Sequence, residues 1–182
     1  MSHLTEIANR NFTDKGTLAY EAHGYTEEYD KYIPSKGKFT LIEIGVWRGD
    51  SLRMWEEYNP ELDIYGLDID VAALMHQRQG YNAKWIIGNA TSPDFIDKVV
   101  EQSGPPDFVI DDGSHVYKDI LDTFEALFPK LKSGGYYFIE DLHAGYAKRD
   151  RLVEYLIDKK GYNEDFFMAS LCRGKLLLIK KK

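Results

Sequence analysis

The sequence predicts an α/β fold built on a doubly wound parallel sheet, with an antiparallel hairpin at its carboxyl end. Five short apolar runs (39–46, 63–69, 83–90, 107–112 and 136–141) are each bounded by Gly, Pro, Asn or Asp and read as strands. The stretches between them, 50–58, 71–79, 93–102 and 116–132, repeat apolar residues at three- and four-residue spacing and read as helices. Strands alternating with helices at this spacing imply parallel strands joined by right-handed crossovers. After a last helix near 148–159, two apolar-rich runs, 165–174 and 175–182, meet at Arg173-Gly174 as a hairpin would.

Asp70 and Ser92-Pro93 stand where helices should begin, and Gly104 and Gly134 where helices should end. Residues 1–37 are polar, rich in Tyr and Gly, and close on the turn cluster Pro34-Ser35-Lys36-Gly37. They are expected to be a lead segment that contributes to the site, with 38–182 as the main domain. A chain of 182 residues falls in the one-domain range and can bury a real core. A net charge of −7 argues against a nucleic-acid partner, because phosphate-backbone binding needs clustered Lys and Arg. The Lys180-Lys181-Lys182 run reads as a solvated tail.

Cys172 is the only cysteine, so there is no internal disulfide, and any metal must be held by oxygen and nitrogen. The first residues lack the basic start and apolar run of a secretory signal. No apolar stretch approaches the ~20 residues needed to span a bilayer. The expectation is a cytoplasmic protein with no membrane partner.

In an open parallel sheet, ligands bind outside the carboxyl ends of the strands. The first strand ends in Gly45-Val46-Trp47-Arg48-Gly49-Asp50-Ser51, where Gly45 and Gly49 permit a tight turn and close backbone approach. The third glycine of a dinucleotide fingerprint is missing, which disfavours a pyrophosphate cofactor. Asp68 ends the second strand, placed to accept hydrogen bonds from ribose hydroxyls, whereas Asp70 reads better as the cap of the next helix. Asn89, after the third strand, offers an amide to an adenine edge or simply forms a turn.

Asp111-Asp112-Gly113-Ser114-His115 closes the fourth strand and Glu140-Asp141-Leu142-His143 the fifth. Carboxylates crowded at two strand tips repel one another and should show raised pKa values unless a cation joins them. Hard divalent ions such as Mg²⁺ suit such oxygens and leave room for substrate oxygens and water. Capping by Asp112 or Ser114 plus ordinary surface charge is the plainer alternative. His115, three residues past Asp112, is suited to general-base work, and His143 is a weaker candidate.

Taken together, EIGVWRGDSLRMW, GLDID, IDDGSH and IEDLH, preceded by DKGT (14–17) and HGYT (23–26), resemble the sugar O-methyltransferases that tailor macrolides, of the mycinamicin and macrocin type. The resemblance covers nearly the whole chain. It implies a Rossmann-like S-adenosylmethionine fold and a Mg²⁺ held by Asp112, Glu140 and Asp141. His115 or a metal-proximal Asp such as Asp112 serves as base. Cofactor contacts are implied at Thr17, Gly45, Ser51, Asp68, Ile69, Asn89 and Asp111, with Lys15 nearby. The acceptor is a small-molecule sugar or glycoside bearing a vicinal diol, and a homo-oligomer is expected. The chain is shorter than such enzymes, so a smaller acceptor than a macrolide is expected.

Two other functions fit the same residues. A catechol-type O-methyltransferase uses the same cofactor and metal on an aromatic diol, but usually with an Asn in the metal set where this chain has Glu140-Asp141. A protein that binds S-adenosylmethionine without chemistry would share the fold.

Overall fold

Strands form where the apolar runs end in turn residues. They are β1 (Thr40–Ile44), β2 (Asp63–Asp68), β3 (Lys84–Ile87), β4 (Phe108–Asp111) and β5 (Tyr136–Ile139), followed by β6 (Phe166–Leu171) and β7 (Leu176–Lys181). The structure is a computed structural model, and it describes residues 1–19, 22–77, 80–142, 146–156, 166–172 and 175–182. Among these, the seven strands make one sheet in the order β3-β2-β1-β4-β5-β7-β6. β1 to β5 run parallel, whereas β7 is antiparallel to β5 and to β6. This is the expected Rossmann-like sheet with its terminal antiparallel pair; the turn at Arg173-Gly174 lies outside the described residues. The strand order reverses between β1 and β4, so a crevice opens there at the carboxyl edge.

Because side chains alternate across a strand, the sheet has two cores. On one face Val109, Tyr137 and Ile139 pack with Ile120, Phe124 and Leu127. On the other, Ile110, Phe138 and Leu178 pack with Trp55 and with the lead segment. The lead segment holds two helices that sequence patterning did not identify, α1 (His3–Asn11) and α2 (Thr26–Tyr32). The Ser2 hydroxyl caps α1 by accepting from the Thr5 N–H at 3.2 Å. Leu4, Ile7 and Ala8 of α1 are buried, as are Tyr25, Tyr29 and Ile33 in and beside α2. Each of these larger side chains contributes ~1.5–3 kcal/mol through burial.

The remaining helices are α3 (Asp50–Tyr58), α4 (Pro93–Ser103), α5 (Tyr117–Leu127) and α6 (Tyr146–Glu154). Four expectations need correction. Lys180 and Lys181 are no solvated tail: both pair within β7, and the Lys181 ammonium donates to the Pro129 and Leu131 carbonyls at 2.7 Å. The helix expected over 71–79 is a 3₁₀ helix, Val71–His76. Its apolar spacing finds nothing to pack on, because Val71, Leu74 and Met75 are exposed and Ala73 alone is buried; residues 78 and 79 lie outside the described residues. The helix expected over 116–132 gives way at Phe128 to a 3₁₀ turn, Phe128–Lys130, since Pro129 has no N–H to continue the ladder. Gly134 therefore ends no helix. It turns the chain with φ +81° into β5, and its N–H donates to the Lys181 carbonyl at 2.9 Å. Asp70 and Gly104 do cap as expected, the Asp70 carboxylate accepting from the Ala72 N–H at 2.9 Å. No helix among the described residues is long and apolar enough to cross a membrane.

Phe138 joins the sheet to the lead segment, its ring edge-on to Tyr29 at 4.8 Å. Phe138→Ala is expected to cost about 3–5 kcal/mol through lost transfer energy and a residual cavity. The shift of the urea unfolding midpoint measures it, and a loss below 1 kcal/mol would contradict this packing.

Candidate functional site at the carboxyl edge

Strand register assembles the site. Ile44 of β1 aligns with Asp111 of β4, and Asp111 with Ile139 of β5. The pairing continues one step past the strands: the Asp112 N–H donates to the Ile44 carbonyl and the Glu140 N–H to the Asp111 carbonyl, each at 2.9 Å. The acids that follow β4 and β5 are thus fixed by backbone before any side chain acts. The turn after β1 is held equally closely. Gly45 has φ +80°, and a Cβ there would stand 2.0 Å from the Asp112 carbonyl oxygen, so only glycine fits.

Two clefts meet at this edge. The larger, about 430 Å³, is lined by Gly45, Asp68, Ile69, Asn89, Asp111 and His115, among others. The second, about 380 Å³, lies between the lead segment and the β1–α3 turn and reaches Ser51. Asp14, Gly45, Trp47 and Asp112 line both. Among the described residues, non-glycine residues with positive φ are Phe12, Trp47, His115, Asp141 and Cys172. All of these except Cys172 line one or both clefts, a concentration of backbone strain where ligand-facing geometry is held in place.

Six of the seven residues expected at the cofactor line a cleft. Asp68 is held rigidly: its Oδ2 accepts from the N–H groups of Val46 (3.1 Å) and Trp47 (2.9 Å), and its Oδ1 from Asp70 (2.9 Å). Asn89 uses its side-chain oxygen locally, accepting from the N–H and hydroxyl of Thr91 at 3.0 and 2.9 Å. Asp111 is buried, with Tyr137 Oη and the Gly113 N–H each donating to it at 3.3 Å. Burial pushes its carboxyl up to about 7. The seventh, Thr17, lines neither cleft; its N–H and hydroxyl tie it to the Asn9 amide of α1.

The acid cluster is real and has an unexpected member. Lys15 is fully buried, its ammonium 2.5 Å from Asp112 Oδ2, 2.7 Å from Glu140 Oε2 and 3.5 Å from Glu43 Oε1. Burial alone would lower its pKa, but attraction to Asp112, Glu140 and Glu43 outweighs that and holds it well above its ordinary value. Burial pushes the carboxyls of Asp112 and Glu140 up; Lys15 opposes this at both, while Asp141 adds to it at Asp112 and Asp112 adds to it at Glu140. Glu43 is pushed up by burial, and Trp55 Nε1 donates to it at 2.9 Å.

The predicted metal set is divided. Asp112, His115 and Asp141 each offer one atom to a group lying within 4.8 Å of one another. His115 Nε2 stands 3.9 Å from Asp112 Oδ1 and 3.9 Å from Asp141 Oδ2. Glu140 is engaged elsewhere, by Lys15 and by the hydroxyl of Tyr29. His143 lies outside the described residues.

Sequence reading gave no site role to Glu43 or Tyr29, nor, beyond their place in the HGYT motif, to Tyr25 or to His23, whose Nε2 stands 3.6 Å from Asp141 Oδ1. An acid inside the apolar run 39–46 was one available signal, since a buried carboxylate needs a partner. Tyrosines at 25 and 29, on one helical face, were another.

A doubly wound sheet extended by an antiparallel strand pair, with two adjoining clefts and acids at its carboxyl edge, defines a class of Rossmann-like domain. Residues 42–142 match the family described as a methyltransferase domain, and the chain belongs to that family. It is 37% identical over 153 residues to mycinamicin VI 2''-O-methyltransferase of Micromonospora griseorubida, covering 79% of this chain and 37% of that protein. Demethylmacrocin O-methyltransferase of Streptomyces fradiae is 34% identical over 153 residues, with 79% and 37% covered. A methyltransferase from the mycinamycin biosynthetic pathway, solved with Mg and SAH, superposes with a TM-score of 0.78 at 30% identity, covering 99% of this chain and 55% of that one. The same enzyme solved with Mycinamycin VI as well gives 0.77. The chain spans a little over a third of the length of the curated relatives it matches, 37% for both.

Asp111 supplies a pH test of this geometry. Its folded carboxyl stays protonated up to about 7, whereas the unfolded one ionises near 3.8. In this window folding takes up a proton, so the group's contribution to stability falls as pH rises and the full penalty is present above pH 7. Asp111→Asn should therefore gain on the wild type in thermal melts at pH 8 relative to pH 5, with chelator present. Between pH 5 and a folded pKa of about 7 the titration spans about two units, so at ~1.4 kcal/mol per unit the relative gain is about 3 kcal/mol. An equal difference at both pH values would count against the buried acid.

Proposed function

We propose that this chain is an S-adenosylmethionine- and Mg²⁺-dependent O-methyltransferase acting on one hydroxyl of a sugar vicinal diol. The observation that supports it most is the meeting of Asp112, His115 and Asp141 in the lining of the same cleft that Gly45, Asp68 and Asn89 line. The relatives named for sugar O-methylation, and the neighbour solved with Mg and SAH, favour the same reading.

The residues fit a divalent cation. Around one ammonium, Lys15, stand Glu43, Asp112 and Glu140, with Asp141 beside them, so negative charge remains in excess. Asp112, Glu140 and Asp141 would hold the ion; the Asp112–Glu140 pair already shares one cation in Lys15. A bound Mg²⁺ supplies the positive charge that makes a neighbouring alcohol more acidic. S-adenosylmethionine would supply the methyl group; Asp68, Ile69, Asn89 and Asp111 of the first cleft would hold its adenosine end, and Gly45 and Ser51 of the second its amino-acid end.

The chain's own residues then do three things. Asp68, fixed by three backbone N–H groups, meets ribose hydroxyls without reorganising. The Gly45 turn lets the backbone approach the ligand closely. His115, beside both Asp112 and Asp141, takes the proton from the reacting hydroxyl at Nε2.

Purified protein with S-adenosylmethionine and Mg²⁺ should methylate glycoside diols in a mass-spectrometric panel and lose that activity in chelator. Transfer to catechols alone, or cofactor binding with no transfer to any diol, overturns the assignment. His115→Ala should slow turnover at saturating substrates by ~10²–10⁴-fold, the usual worth of a general base. Glu140→Gln should weaken Mn²⁺ binding while His115→Ala leaves it intact; the reverse result makes His115 a ligand and removes it as base.

A further inference from the structure

Each carboxylate of the proposed metal set is gripped by the lead segment. Lys15 donates to Asp112 Oδ2 at 2.5 Å and to Glu140 Oε2 at 2.7 Å. The Tyr29 hydroxyl donates to Glu140 Oε1. The Tyr25 hydroxyl donates to Asp141 Oδ1 at 2.6 Å and lies 3.4 Å from the Asp141 N–H, which donates back to it. The side chains doing this are themselves immobilised. Lys15, Tyr25 and Tyr29 are all fully buried. Tyr29 is set edge-on between Trp55 (5.4 Å) and Phe138 (4.8 Å), and Tyr25 stacks on His23 at 5.1 Å.

We propose that the lead segment is the outer shell of the metal site, and that Lys15, Tyr25 and Tyr29 are positioning residues fixing which carboxylate oxygens face the cation and the acceptor. Tyr25 has the clearest part. Asp141 sits at φ +54°, a conformation that a non-glycine residue keeps only when its surroundings enforce it. With Oδ1 held by Tyr25, Oδ2 is the oxygen on the His115 side, 3.9 Å from Nε2. Without the hydroxyl, the Asp141 carboxylate loses its shortest donor and keeps His23 Nε2 at 3.6 Å from Oδ1, so its oxygens are held less firmly in the ligand position. The segment 1–37 and the domain 38–182 are then two halves of one site rather than a domain and an appendage.

This rests on the metal reading above, and the test separates the two. Tyr25→Phe keeps the buried ring and its stack and removes one oxygen. Free Mn²⁺, counted by electron paramagnetic resonance, should show affinity weakened by ~10–100-fold, the usual effect of removing an outer-shell partner. Thermal stability in chelator and the affinity for S-adenosylhomocysteine measured by calorimetry without metal should stay near wild type. Mn²⁺ affinity within twofold of wild type overturns the proposal, as does a parallel loss of stability and cofactor affinity, which marks a merely structural role. Tyr29→Phe and Lys15→Arg are second arms should Tyr25→Phe fail to fold. Arg restores the charge, so it should keep part of the affinity that Lys15→Met loses, and equal loss in both overturns the role of Lys15. A wild type that binds no Mn²⁺ overturns the metal reading itself, and this proposal with it.

Discussion

The buried ammonium of Lys15 is the interaction on which the rest of this structure depends. Placing a lysine at zero solvent contact is costly in isolation, because its hydration is lost. Asp112, Glu140 and Glu43 offset that cost, each belonging to or following a different parallel strand. The same contact lowers the repulsion among the acids, so neither partner is tolerable without the other. Removing one side of such a set leaves uncompensated buried charge, typically worth 3–5 kcal/mol. The lysine thereby draws the lead segment onto the sheet, over acids whose spacing the strand pairing sets.

Much of the sheet was legible because its signals are local. Short apolar runs ending in Gly, Asn or Asp gave β1 to β5, and the residues just beyond them are the ones that line the clefts. The two lead helices were not legible. The α1 helix offers only Leu4, Ile7 and Ala8 as an apolar stripe, and α2 has no aliphatic residue at all. Its buried face is made by tyrosines, which read as polar until their rings are seen inside the core and their hydroxyls on acids. The 3₁₀ helix at Val71–His76 shows the opposite failure, an apolar rhythm with no surface to meet.

The site was legible in kind and less so in arrangement. Acids at the ends of two adjacent strands predict a crowded acidic edge, and the backbone pairing of Asp112 with Ile44 and of Glu140 with Asp111 brings the acids together. Sequence does not reveal which oxygen of each carboxylate is already engaged. That depends on Lys15, Tyr25 and Tyr29, which lie 97 to 125 residues away from the acids they contact. Resemblance placed Lys15 near the cofactor; it lines the second cleft beside Gly45 and Ser51, and its ammonium contacts the acids.

These separations bear on how the molecule comes together. Closing loops of this length costs conformational entropy before any contact offsets it, and topologies dominated by such contacts fold slowly. Tyr29 and Lys15 have no seat until β5 has paired with β4, since Phe138 and Glu140 form part of it. The residues nearest the amino end are thus among the last to settle, and the acidic edge is completed only when the sheet behind it is whole. An intermediate with a formed sheet and an undocked lead segment would expose Trp55 and Phe138, and with them an apolar face prone to self-association.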